Sequence, residues 1–400
     1  MATNADNDKN KLEMNDLMIR FPHLMEQILR KLDNESLVKS IGVARIWKGF
    51  INDTKYPWVR TVKIPTILQG GDTYLHLAAK HNQIGVFKKI LNGEAEKDIV
   101  NDSGYSPFLV ACLFGSLSIA EFLMRKYEEL KIDLSRLTNC HSSAFHLACI
   151  GGNSKLAEMI MKNSVMLKIH LNEDNPFDFM SCGRSGFHYA IRYGNLEVVK
   201  MLIENSTSMN IKLNTLDKYN NTGLHIACSS GHAKIAKVLI KESTKLNMDL
   251  NAQDVWGYTA FHMACKSGLA SIVKIMIDQS LEEYCASLLV GMQDGTLGSH
   301  SRSNKQTFDL SLQTKDAETG FHFACRAGHT KIVEMLIDVS ETLKLDLASK
   351  NKTVENAYTG FQLADIYGET NVVELIKSKM PSLVIYQNPK RKRGYGMVST

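Results

Sequence analysis

From about residue 71 to 380, apolar positions come in pairs of short runs at helical spacing. Each pair opens on a Ser or Thr and is split by a Gly. The cleanest copy is T-G-F-H-F-A-C-R-A-G-H-T-K-I-V-E-M-L-I, Thr319 to Ile337, and the same order returns from Thr222 and Thr259. With the Ser/Thr as marker, eight copies start at Thr73, Ser106, Ser143, Ser185, Thr222, Thr259, Thr319 and Thr359, spaced by 33, 37, 42, 37, 37, 60 and 40 residues. Self-similarity at this period means stacked helix pairs, and here it carries two insertions. A short excess lies near Asn172 to Phe179, and a larger one runs from about Leu281 to Asn304. The core of the larger one is rich in Gly and Ser, which predicts a loop.

Each position has a physical role. The Ser/Thr caps a short first helix by accepting a backbone N–H. Small residues four and five positions on let helices approach. Gly115, Gly152, Gly194, Gly231, Gly268, Gly328 and Gly368 end that helix where a left-handed residue is wanted. A second helix follows with a buried stripe such as Ile332, Val333, Leu336 and Ile337. A turn rich in Asp, Asn and Gly leads to the next copy.

This pattern resembles the ankyrin repeat, whose signature is T-P-L-H-x-A. The resemblance covers about residues 71–380 and implies an all-α solenoid of helix-turn-helix and β-turn units. It also implies that the signature His bonds backbone between neighbouring repeats. The signature Pro survives only as Pro107; Gly, Ala or Tyr stands at the other copies.

Leu17 to about Arg60 is a different block, behind a polar leader at 1–16 and joined to the repeats by a linker at 61–71. Pro22 suits a helix start. Leu24, Ile28, Leu29 and Leu32 make one apolar face, Leu37, Val38 and Ile41 a second, and Trp47, Phe50 and Ile51 a third. Three helices this short cannot hide so many apolar residues, so a partner is expected to cover the rest. The block resembles an F-box, with Phe21-Pro22 for Leu-Pro and with Ile28, Leu29, Leu32, Leu37, Val43, Arg45, Trp47 and Trp58 on the pattern. Ala44 stands for the usual Cys. That resemblance implies docking on the Skp adaptor of a cullin ubiquitin ligase, through Phe21, Pro22, Ile28, Leu29, Leu32, Val43 and Trp47.

Composition narrows the function classes. Hydrophobic content of 44% and charged content of 22% are ordinary for a globular protein. No apolar run approaches the ~20 residues that span a bilayer. The polar, acidic first residues predict neither signal nor transit peptide. Five of the eight cysteines, Cys112, Cys149, Cys228, Cys265 and Cys325, occupy one repeat position. Stacked copies sit roughly 10 Å apart, too far for a disulfide, so these read as core residues in a reducing compartment. His-x-x-Cys recurs at His146, His225, His262 and His322, and two such side chains on one helix face could ligate zinc. Repetition at a structural position favours a structural role, and a zinc site needs three or four ligands. No phosphate loop, nucleophile elbow or other catalytic motif appears, so neither a chemical step nor a cofactor is expected.

Binding is the better reading. Stacked repeats offer turn tips and first-helix side chains as one extended surface. Just before the Ser/Thr markers stand Tyr105, Arg184, Tyr219, Trp256 and Tyr258, residue types that anchor protein interfaces. The net charge of +5 is too mild to imply nucleic acid. The tail after Pro381 carries Lys390 to Arg393, which reads either as a nuclear import signal or as a solvated tail on a cytoplasmic protein. The pattern as a whole points to a ligase adaptor that holds a protein substrate in its repeats. An ankyrin scaffold or nuclear regulator, with N-terminal helices that merely cap the stack, is the alternative.

Overall fold

The computed structural model describes residues 71–92, 98–172, 174, 183–294, 307–352 and 357–384. The F-box-like block with Phe21 to Trp47, the linker before Gly71 and the basic run Lys390–Arg393 lie outside the described residues. The chain divides into two compact units, Met1–Gly186 and Phe187–Thr400. The first holds α1 (Tyr74–Lys80), α2 (Ile84–Leu91), α3 (Pro107–Leu113), α4 (Leu117–Leu130), α5 (Ala144–Gly151) and α6 (Ser154–Lys162). Then α7 (Gly186–Arg192) opens at the boundary, followed by α8 (Leu196–Asn205), α9 (Gly223–Ser229), α10 (Ala233–Lys241), α11 (Ala260–Lys266) and α12 (Ala270–Asp294). The second unit closes with α13 (Gly320–Arg326), α14 (Thr330–Val339), α15 (Gly360–Tyr367) and α16 (Thr370–Lys379), before a 3-10 turn at Pro381–Val384. The described residues are thus all-α, in consecutive helix pairs that follow the sequence markers.

The punctuation acts as its chemistry requires. Ser106, Ser143, Thr222, Thr259 and Thr359 sit at N-caps in extended backbone, and each hydroxyl accepts the amide three residues on, at 3.3–3.4 Å. The glycines after the first helices, Gly115 through Gly368, all have positive φ, and Asn82 takes that place in the first copy at φ 53°. In the turns a polar side chain gathers the backbone: Asp254 Oδ1 accepts from Trp256 and Tyr258, Asp217 Oδ1 from Tyr219 and Asn221, and the Thr138 and Thr314 hydroxyls from Ser142 and Glu318. Tips also bond tip to tip, with Val255 N–H on the Tyr219 carbonyl at 2.9 Å and Lys315 N–H on the Trp256 carbonyl at 3.0 Å.

The missing signature Pro has a packing cause. The first residue of a first helix lies against the previous first helix. A Cβ on Gly186 would come within 2.6 Å of the Phe145 ring, and one on Gly360 within 2.6 Å of Phe321. A Cβ on Gly223 would come within 2.7 Å of Ile191 and 3.2 Å of Phe187, and one on Gly320 would overlap Phe261. Gly stands in four of the five copies that follow a Phe, Ala144 after Phe108 being the exception, whereas Pro107 and Ala260 follow the smaller Leu75 and Leu224. Phe145, Phe187, Phe261 and Phe321 are all buried.

The larger insertion departs from expectation. Instead of a loop from Leu281, α12 continues unbroken to Asp294, 25 residues in all. Its apolar residues up to Leu288 keep helical spacing, and no Gly or Pro interrupts before Gly291. Ser280 Oγ, 2.8 Å from the carbonyls of Met276 and Phe308, marks the last buried turn. Residues 295–304 lie outside the described set.

Glycine to alanine in a helix normally stabilises by about 1 kcal/mol. Here Gly320→Ala is expected to lower stability instead, by about 1–3 kcal/mol through overpacking. Combined with Phe261→Leu, it should cost less than the sum of the two single changes. Urea unfolding of the four proteins in that cycle measures the coupling, and simple additivity would reject the packing account.

Candidate functional site

The chemistry-bearing residues are consumed by the stack. In five copies the signature His Nδ1 lies 2.8–2.9 Å from the cap hydroxyl and 3.0–3.3 Å from the cap backbone N–H, at His76, His146, His225, His262 and His322. A backbone N–H only donates, so Nδ1 is the acceptor and the proton sits on Nε2. That N–H then reaches the next copy: His76 donates to the Tyr105 carbonyl at 2.8 Å, His225 to Tyr258 at 3.0 Å and His322 to Tyr358 at 3.2 Å. His188 likewise meets the Thr215 carbonyl at 3.1 Å. His262 differs: its Nε2 has no partner at hydrogen-bond geometry, and only the looser influence of the Leu312 and Glu318 backbone reaches it. Burial lowers the pKa of His76, His225 and His322, and it pushes His262 down to about 4. In the last copy Gln362 takes the same place, accepting the Thr359 N–H at 2.9 Å.

A second set of ties was missed from sequence. Asn153 Nδ2 donates to the Gly115 carbonyl at 2.9 Å, and His232 and His329 Nε2 meet the carbonyls of Arg192 and Lys266 at 2.9 and 3.1 Å. All three follow the left-handed Gly of their own copy, a place in the repeat that could have flagged them.

Cys112, Cys149, Cys228, Cys265 and Cys325 are buried thiols outside any disulfide. Burial raises their thiols, to about 12 at Cys228 and beyond the usual range at the others. Such thiols stay protonated and are poor nucleophiles and ligands. The His-x-x-Cys pairs therefore do not present a zinc site: their imidazoles face the caps and their sulfurs face the core. Among the described residues no group of three or more His, Cys, Asp and Glu comes together to hold a metal. No described helix is long and apolar enough to cross a membrane.

The turn tips hold the sequence candidates in different ways. Arg184 is only 7% exposed and is held by interactions inside the fold, so it cannot serve as a partner contact. Tyr105, half-buried, spends its backbone on Asn101 and His76. Trp256 is 51% exposed and stacks on Tyr219, with ring centres 5.3 Å apart and planes 26° apart. The backbone links on both sides of Trp256 hold that ring at a fixed tip. Tyr258 turns toward the first helices instead, where its ring lies 5.2 Å from Phe323.

The first helices add residues that the turn-centred reading passed over. Lys266 Nζ sits 5.7 Å from the centre of the Tyr258 ring, and the Arg326 guanidinium lies 5.6 Å from Phe323 and 5.9 Å from Tyr367. Arg326 also pairs with buried Glu318. The signal was present in the repeat: seven positions after the marker stand Lys80, Leu113, Ile150, Arg192, Ser229, Lys266, Arg326 and Ile366, unlike the uniform core positions beside them.

The family model described as ankyrin repeats (3 copies) matches residues 75–173, 130–213 and 162–254. Residues 75–254 are thus similar to ankyrin repeats. The helix pairs after α10 lie beyond the match; α11 and α13 keep the imidazole-to-cap bonds, and α15 makes the bond through Gln362. Among solved structures, the human ASB11 ankyrin repeat domain is similar over 63% of this chain and 92% of its own, at 16% identity and a TM-score of 0.46. None of the curated proteins matches the chain. An ankyrin stack presents its tips and first helices as a binding surface.

The buried His262 sets a pH dependence. Its folded pKa of about 4 lies below the ordinary 6.5, so the unfolded chain takes up a proton that the folded chain refuses as pH falls below 6.5. That contribution is intact above pH 6.5 and is lost downward toward pH 4, at about 2 kcal/mol between pH 7 and 5. His262→Gln, which copies Gln362, should flatten the fall by about that amount. Urea midpoints at the two pH values measure it, and an unchanged slope would contradict the assignment.

Proposed function

We propose that the chain is a non-catalytic adaptor whose ankyrin repeats hold a protein substrate while its N-terminal block docks on the Skp subunit of a cullin ubiquitin ligase. The observation that carries the binding half is Trp256, a half-exposed aromatic fixed at a turn tip by Tyr219 and by backbone bonds. A rigid aromatic costs little entropy when it anchors a partner. The ligase half rests on the sequence Phe21-Pro22, Ile28, Leu29, Leu32, Val43 and Trp47, whose order is that of an F-box. The mechanism is tethering: holding a substrate beside the ligase raises its effective concentration without a chemical step by this chain.

Co-expression of the full chain with the Skp adaptor, followed by size-exclusion chromatography, tests the ligase half. A one-to-one complex is expected, and Trp47→Ala should weaken it at least tenfold. A folded chain that stays monomeric beside the adaptor would leave an ankyrin scaffold whose N-terminal block serves only as a cap.

A further inference from the structure

We infer that the inner face of α11, α13 and α15 takes an extended, acidic segment of a partner protein. The inference rests on the protein-binding half of the reading above and names the chemistry of what is bound. All the residues involved belong to the second unit. Tyr258, Arg326 and Tyr367 line one strip across three consecutive helix pairs, with Tyr258 and Arg326 both resting on the buried Phe323 ring and Arg326 reaching Tyr367. The strip is open to solvent at its far end, where Ile366 is 53% and Tyr367 59% exposed. Lys266 is exposed along its edge.

The charges decide which segment fits. The carboxylates beneath the strip are buried, Glu318 paired and Asp254 bonded through Oδ1 alone. Glu318, 6% exposed, takes Arg326 and the Asn351 amide. Asp254, 5% exposed, takes the amides of Trp256 and Tyr258. Lys266 meets only the Tyr258 ring, and Lys315 and Lys352 are exposed at one register position of the neighbouring tips. The carboxylates that answer them nearby are exposed Asp316 and half-buried Asp365. Three lysines against two carboxylates leave an excess of one positive charge at this face, beside the rings of Tyr258 and Tyr367. Packed helices lie about 8–10 Å apart, and an extended chain advances about 3.3 Å per residue. One anchor per helix pair then corresponds to every third residue of the bound segment. The expected ligand carries Asp or Glu among aromatic or aliphatic residues at that interval.

The test is a phage library of random peptides panned on the immobilised full chain, with Lys266→Glu/Tyr367→Ser panned in parallel. Both side chains are exposed, and circular dichroism checks that the variant folds. Enriched peptides should be acidic with apolar residues at three-residue intervals. As synthetic peptides they should bind the variant about tenfold more weakly and lose affinity as salt rises. Enriched peptides that are neutral or basic, or that bind the variant equally, would overturn this inference and leave the protein-binding reading standing. No enrichment on a folded chain would overturn both.

Discussion

Each helix pair is completed by its neighbour. No first helix exceeds eight residues, too short to persist alone in water. Its stability comes from two contacts across the junction. At four junctions a large side chain, Phe145, Phe187, Phe261 or Phe321, lies against bare Gly backbone at the start of the next first helix. At His76, His225 and His322 an imidazole, fixed on its own cap through Nδ1, spends its Nε2 proton on the next copy. Both contacts need a full stack, so fold and repeat are one constraint.

That constraint governs function by subtraction. Imidazoles and thiols are the side chains best suited to catalysis or metal binding, and here most of the repeated ones are buried, paired or held neutral. The surface left over is made of turn tips and the outward positions of first helices. These are free to differ from copy to copy because the stack asks nothing of them. Trp256 and Tyr367 are exposed while resting on neighbours that hold them in place, which suits contacts made on binding rather than on folding.

Much of this was legible in the sequence. The cap, the left-handed Gly and the buried stripe are local, and they recur from copy to copy, with Asn82 in the Gly place of the first. The coupling of Gly to a Phe 36 to 59 residues earlier was written in the same copies, as in Phe145 with Gly186 and Phe261 with Gly320, but its meaning depends on which helices touch. Arg184 read as a surface residue from its turn position, and only packing shows that it turns inward. Residues 281–294 read as a loop from the Gly and Ser around them, yet the helix before them had no reason to stop. The cluster of Lys266, Arg326 and Tyr367 was obscured because it draws single residues from three copies.

The most direct test of the claim that the stack consumes the histidines is a long-range proton–nitrogen NMR spectrum of the full chain, labelled with nitrogen-15 in histidine, at pH 7 and with zinc added. The account predicts neutral imidazoles protonated on Nε2 at His76, His225 and His322, with signals that zinc does not move. Protonation on Nδ1, or zinc-dependent shifts at those positions, would contradict it and reopen a ligand-binding role for the repeated histidines.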